Sequence, residues 1–272
     1  MKTFHFLSGL PRSGSTLLSA LLNQNPEVHA STNSPLLDTI HYTEEYLLYN
    51  SEQYKAHPKP EAAHKVLSSI APNYYFDIPE PVIIDKSRGW VNQVEHIQDY
   101  ITKTPKIICP VRDILDIMVS FLCLIEKSGP DNFIDNALRT YNVDVNINNR
   151  CDYLMSPKGI IGNSLHSLSE AHKKEWNKYV IMVEYDHLMQ NPQREMNRIY
   201  DFLKMPRYNH NFDTVVTKFD EKDIVYGLKD MHTVRTKVQK IYRDKTKYLT
   251  DYILNKYNGL EFWRRKYSVF GV

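Results

Sequence analysis

No run of about 18 apolar residues, the length that crosses a bilayer, occurs in this chain. The richest stretch, 107–125, is broken by Arg112, Asp113 and Asp116. Cysteine is scarce: Cys109, Cys123 and Cys151 form an odd set without metal-site or disulfide-framework spacing. A reducing, cytoplasmic setting is therefore expected. An excess of one charge is also missing. With 34 basic and 32 acidic residues the net charge is +2, too little to argue for nucleic acid or a membrane surface, though it allows a local basic pocket for an anion. No repeat or low-complexity segment is visible. Apolar sequence begins directly after Met1-Lys2-Thr3, so no signal peptide is expected ahead of the first strand.

What is present suits an ordinary globular α/β domain. Of 272 residues, 42% are hydrophobic and 24% charged, and one domain over 1–272 is expected. Short apolar runs at 4–7, 81–86, 106–111 and 179–185 read as buried strands, with a shorter one at 27–31. Between them, helical spacing covers roughly 15–22, 34–49, 61–70, 91–101, 114–126, 165–176 and a stretch opening at Asn191-Pro192, with a last helix at 245–256. Alternation of apolar strands with helices, without hairpin signals, predicts a central, mostly parallel sheet flanked by helices. In such sheets ligands collect beyond the carboxyl ends of the strands. From 128 to 163 the pattern dissolves into Asn, Asp and Gly. Either a mobile lid or acceptor-binding insertion or a poorly ordered surface excursion is expected there.

Glycine is sparse, only 9 in the chain, yet Gly9 and Gly14 bound one loop between the first strand and the first helix. Their spacing is that of a phosphate-binding loop, whose inward N–H groups and following helix dipole hold an anion. The Lys that reaches the outer phosphates of a nucleoside triphosphate is replaced by Ser15, and a cation stands earlier, at Arg12. A plain strand-to-helix turn is the alternative. A second cluster, Cys109-Pro110-Val111-Arg112-Asp113 with Ser120 eight residues after Arg112, puts an Arg at a strand exit and a Ser two turns along the next helix. Taken alone, that pair reads as an Arg-Asp surface contact plus a helix serine satisfied by its own backbone.

Pro11-Arg12-Ser13-Gly14-Ser15-Thr16-Leu17 resembles the 5′-phosphosulfate loop of the sulfotransferases, closest to the Golgi-type and bacterial branch. The resemblance implies a P-loop-like fold and the donor 3′-phosphoadenosine 5′-phosphosulfate (PAPS), with adenosine 3′,5′-bisphosphate (PAP) as product. Arg112 and Ser120 would then hold the 3′-phosphate, a task that suits the planar fork of arginine. Lys86, in Asp85-Lys86-Ser87-Arg88, matches the family's strand-end catalytic Lys and would share with Arg12 the charge of the transferring sulfuryl group. The competing reading of Lys86 is a solvent-facing partner of Asp85. The Tyr185-Asp186-His187-Leu188 stretch would place Tyr185 on the adenine. Tyr226-Gly227-Leu228 and His232-Thr233-Val234-Arg235 resemble a late segment closing over the nucleotide, with Arg235 as a further phosphate contact. The family's additional basic residue on the helix after Arg112 falls near Leu124. No metal is expected, because Arg and Lys neutralise the donor.

The family's general base is missing from its usual places. The His after the strand-end Lys is replaced by Ser87-Arg88, and the Glu after the first helix by Thr32-Asn33. His41, Glu44 and Glu45 are the remaining candidates. The expected reaction is in-line sulfuryl transfer to a hydroxyl or amine on a small-molecule, carbohydrate or peptide acceptor, with neither nucleic acid nor a membrane span involved. Tyr42, Tyr46, Tyr49, Tyr74, Tyr75 and Phe76 suit an acceptor cleft and core packing equally. The rival functions are a P-loop small-molecule kinase or nucleotidase, and a non-catalytic nucleotide-binding relative.

Overall fold

Five parallel strands carry the molecule, which is known from a computed structural model describing residues 2–264. They are β1 (Thr3–Leu7), β2 (Val28–Asn33), β3 (Val82–Lys86), β4 (Ile107–Val111) and β5 (Val180–Glu184), ordered β2-β3-β1-β4-β5 across the sheet. Every pairing is parallel, with Leu7 beside Lys86 and Val111 beside Glu184. All five carboxyl ends therefore lie along one edge. Helix α1 (Ser15–Leu22) follows β1, while α2 (Leu36–Glu44), α3 (Glu52–Ala56) and α4 (Pro60–Tyr74) fill the interval between β2 and β3. Next come α5 (Val94–Tyr100) before β4, and α6 (Ile114–Ser128), α7 (Phe133–Thr140), α8 (Ile147–Met155) and α9 (Ile160–Lys173) before β5. The chain continues with α10 (Tyr185–Gln190), α11 (Pro192–Leu203) and α12 (Asp251–Tyr257).

The strands read as continuous apolar runs because both sheet faces are covered. Side chains alternate between two cores: Phe6, Ile83, Cys109 and Met182 enter one, and Leu7, Ile84, Ile108 and Val183 the other. The first core is closed by α6 through Ile117, Met118 and Phe121, the second by Leu18 and Leu21 of α1 and Met196 and Ile199 of α11. Cys109 is a buried free thiol, and its strand neighbours Ile108 and Val111 are buried as well.

The stretch 128–163 differs from expectation, since α7, α8 and the start of α9 lie where irregular chain was anticipated. The Asn residues that blur the periodicity are helix caps. Asn132 accepts from the Ile134 and Asp135 amides at 3.1 and 3.0 Å, and Asn146 from the Asn149 amide at 2.9 Å. Ile134, Cys151, Leu154 and Ile161 join the first core. Two smaller differences concern termini. Tyr185 opens α10 instead of ending β5, and the last helix shrinks to Asp251–Tyr257, after a separate turn at Lys245–Lys247.

Candidate active site

The loop after β1 is tied to the exit of β4: the Ser8 amide bonds the Ile108 carbonyl at 2.8 Å and the Leu10 amide that of Pro110 at 3.0 Å. That closeness fixes Gly9, at φ +98°, where a Cβ would sit 2.4 Å from the Pro110 carbonyl oxygen. Gly14, at φ +96°, caps α1 in the left-handed region, and a Cβ there would lie 3.1 Å from the Tyr185 ring. The Ser13 hydroxyl points inward, donating to the carbonyls of Leu10 and, at 2.9 Å, Pro110. Ser13 therefore shapes the loop, leaving only its backbone for a ligand. The first N–H groups of a helix have no partner within it, and those of α1 open at the strand ends.

A cavity of about 380 Å³ lies there, lined by Pro11, Arg12, Gly14, Ser15, Thr16 and Leu17 of the loop, Lys86, Arg112, Ser120, Tyr185 and Arg235. The predicted residues, except the Ser13 side chain, are thus gathered in one hollow. Its wall is cationic, since Arg88 and Arg243 line it as well. Arg112 stacks its guanidinium 4.3 Å from the Tyr185 ring centre and donates from Nη1 to the Arg12 carbonyl at 3.2 Å. Its Nε is buried without a hydrogen-bond partner, 3.9 Å from Asp116. Arg12 donates from Nε to the Ser120 hydroxyl at 3.2 Å and from Nη1 to the Met231 carbonyl. Burial and then the neighbouring Arg112 charge hold the Arg12 guanidinium down to about 10. Two cations forced together in a poorly hydrated hollow are what an anionic ligand relieves. Leu124 lines the cavity where a further base was expected, and Lys127, one turn on, lines it too.

Lys86 is buried, with Nζ 3.2 Å from the Thr16 hydroxyl and 3.6 Å from Glu221. Burial lowers its pKa to about 8, against the opposing pull of Glu221. It is not an exposed partner of Asp85, because adjacent strand residues face opposite ways. Asp85 instead accepts from the Trp90 indole at 2.6 Å and from the Tyr75 hydroxyl, and burial raises its carboxyl.

The segment 219–235, in which motif reading singled out 226–228 and 232–235, also brings Glu221 and Asp223, which it did not. Glu221 accepts from the Asn33 side-chain amide at 2.9 Å and its backbone amide at 3.3 Å. The same Asn33 amide lies 3.0 Å from Nε2 of His232, which lines the cavity. His232 Nδ1 is 2.6 Å from Asp223 and 3.5 Å from Glu221. Burial lowers the imidazole pKa, with Asp223 opposing. A lone Glu in Phe219-Asp220-Glu221-Lys222 carries no motif; only the long return of the chain to β2 reveals it. The anticipated bases lie elsewhere. Glu44 is engaged by His96 at 2.6 Å and the Tyr100 hydroxyl at 2.7 Å, and His41, Glu44 and Glu45 are not among the residues lining the cavity. Tyr42, Tyr46, Tyr49, Tyr74 and Phe76 are exposed, while Tyr75 is buried.

The donors present fit a ligand with two separated anionic groups. The loop amides, Thr16 and Lys86 form one group of donors, Arg112 and Ser120 another, with Arg12 bonded to Ser120, and the buried Nε of Arg112 has no hydrogen-bond partner. A family model described as "Sulfotransferase family" matches residues 6–210. Among solved structures, the fold is similar to a mouse sulfotransferase, SULT7A1, complexed with PAP, at 13% identity and TM-score 0.56, over 98% of this chain and 86% of that one. It is also similar to a sulfotransferase domain from the curacin biosynthetic pathway, at 16% identity and TM-score 0.50, over 76% of this chain and 75% of that one. No curated protein matches the sequence.

Proposed function

We propose, because this chain belongs to the sulfotransferase family, that it moves a sulfuryl group from PAPS to a hydroxyl or amine acceptor and releases PAP. The supporting observation is the convergence of the Gly14 loop and Arg112 on one cationic cavity. The 5′-phosphosulfate lies on the amides at the start of α1 with Thr16, and the 3′-phosphate on Arg112 and Ser120. Tyr185, already stacked on Arg112, offers its ring to the adenine, and Arg235 closes from the late segment.

Sulfuryl transfer is a displacement at sulfur in which positioning and cationic stabilisation supply most of the acceleration, as in phosphoryl transfer. Lys86 meets the bridging oxygen as the bond to the 5′-phosphate lengthens. Arg12, bonded to Ser120 and electrostatically coupled to Lys86, shares that charge. The acceptor must be free to approach from the side of Lys86 opposite the nucleotide.

Thermal-shift titration separates this function from an ATP-using one. PAP is expected to raise the melting temperature without metal, and ATP with magnesium to do so weakly. Stabilisation by ATP–magnesium with none by PAP would contradict the assignment.

A further inference from the structure

The two places where the family resemblance implies an acceptor base hold neither His nor Glu here, being Thr32-Asn33 and Ser87-Arg88. In the fold, both flank the same wall of the cavity, since Asn33, Lys86 and Arg88 all line it. The chain returns to that wall nearly two hundred residues later. His232 enters beside Asn33, with Nδ1 on Asp223 at 2.6 Å and Nε2 3.0 Å from the Asn33 amide. Asp223 also accepts from the His232 backbone amide at 3.0 Å, so the carboxylate grips both ends of the residue. An imidazole held at Nδ1 by a carboxylate carries its proton there and presents Nε2 as an acceptor. The Asn33 side chain, with only N–H to offer at Nδ2, agrees with that tautomer.

We propose that His232, oriented by Asp223, is the base that takes the acceptor's proton. The inference rests on the sulfuryl-transfer function and deepens it. Both residues lie beyond 6–210, the stretch that the family model matches. In the reaction the acceptor hydroxyl donates to Nε2 in the place that the Asn33 amide holds now. Its oxygen lone pair forms the new O–S bond, the S–O bond to the 5′-phosphate breaks, and that electron pair leaves on PAP beside Lys86. The acceptor's proton passes to Nε2, and the resulting imidazolium is stabilised by Asp223. Glu221 has a different task. Bound to both amides of Asn33 and 3.6 Å from Lys86, it is a positioning residue that fixes the wall and keeps the lysine charged.

The charged and titratable groups facing His232 are Asp223, Glu221 and, further off, Lys86, with the Tyr226 ring meeting it edge-on at 4.9 Å between centroids. Burial opposes the imidazolium and Asp223 favours it. The imidazole is therefore neutral and basic at neutral pH, and transfer fails only as acid protonates it.

The test compares wild type with His232→Gln, Asp223→Asn and Glu221→Gln. PAP release from PAPS is followed against a panel of phenols and simple alcohols, with water as the remaining acceptor, and PAP binding is measured by calorimetry. His232→Gln is expected to bind PAP as wild type does and to lose about 100-fold in acceptor-dependent release. Asp223→Asn should show a similar loss through the wrong tautomer, and the acid limb of the wild-type pH profile should vanish in His232→Gln. The limb should coincide with the imidazole titration of His232 followed by NMR. Equal PAP release by wild type and His232→Gln, zero included, would overturn the assignment. So would a greater loss in Glu221→Gln than in His232→Gln. If His232→Gln fails to fold, Asp223→Asn and the NMR titration decide in the same sense. Failure of wild type to bind PAP contradicts the sulfuryl-transfer function itself, a separate result.

Discussion

Arg112 and Lys86 divide the chemistry of the cavity between recognition and transfer, and each can be probed without knowing the acceptor. Arg112 donates from Nη1 to the Arg12 carbonyl but has a buried Nε with no partner, so under the proposed function its further charge-assisted bonds form with the 3′-phosphate. Such bonds are worth about 1.5–3 kcal/mol, and Arg112→Ala should weaken PAP by roughly 10- to 100-fold. Adenosine 5′-phosphosulfate, which lacks the 3′-phosphate, should bind the variant and wild type alike in calorimetry. Equal losses for both ligands would remove the 3′-phosphate from Arg112. Lys86 gives a proton-linked signature. Its pKa is lowered to about 8, so above that value the free protein holds it largely neutral. A bound anion restores the charged form, so binding takes up protons and PAP affinity falls as pH rises through about 8. Calorimetry at pH 8.5 in buffers of different ionisation enthalpy should report uptake of most of one proton, lost in Lys86→Met. Unchanged uptake in that variant would place the proton elsewhere.

The loop between β1 and α1 shows how much of an element can be read from residue types alone. Gly9 and Gly14 both take positive φ, and both lie where a Cβ would collide, with the Pro110 carbonyl and the Tyr185 ring respectively. Gly14→Ala combines left-handed strain with that contact. It should cost about 1–2 kcal/mol in denaturant unfolding, together with a clear loss of PAP affinity. Full retention of both would mean that the loop is not built around that glycine. In α7 the legibility fails for a physical reason. Asn132 looks like loop chemistry, yet it caps the helix by accepting two amides, and the Asn and Asp residues through α7 and α8 interrupt the apolar period. Asn132→Ala should therefore lower stability by about 1 kcal/mol and leave PAP binding unchanged, as read by denaturant titration and calorimetry. Glu221 and His232 belong to the same lesson. They occupy irregular chain, where no periodicity points at a partner, and Asn33 meets them only through the fold.

At the scale of the whole molecule, the sheet was legible because its strands are buried on both faces and so appear as unbroken apolar runs. Parallel order then places every carboxyl end on one edge, and Arg12, Lys86, Arg112 and Tyr185, far apart in sequence, had to converge there. The contacts of His232 with Asp223 and Asn33 were not legible, since they depend on a return of the chain from 219 to 235 whose only regular element is the short 3-10 turn Asp223–Tyr226. The candidates on α2 were drawn to a separate cluster with His96 and Tyr100. The central claim is that one bis-anionic adenosine compound spans the Gly14 loop and Arg112. A crystal structure of the protein with PAP measures this directly. The 5′-phosphate is predicted on the amides of Gly14 to Leu17 and the 3′-phosphate on Arg112 and Ser120. PAP lodged outside this cavity, or with only one phosphate held and Arg112 facing solvent, would contradict it.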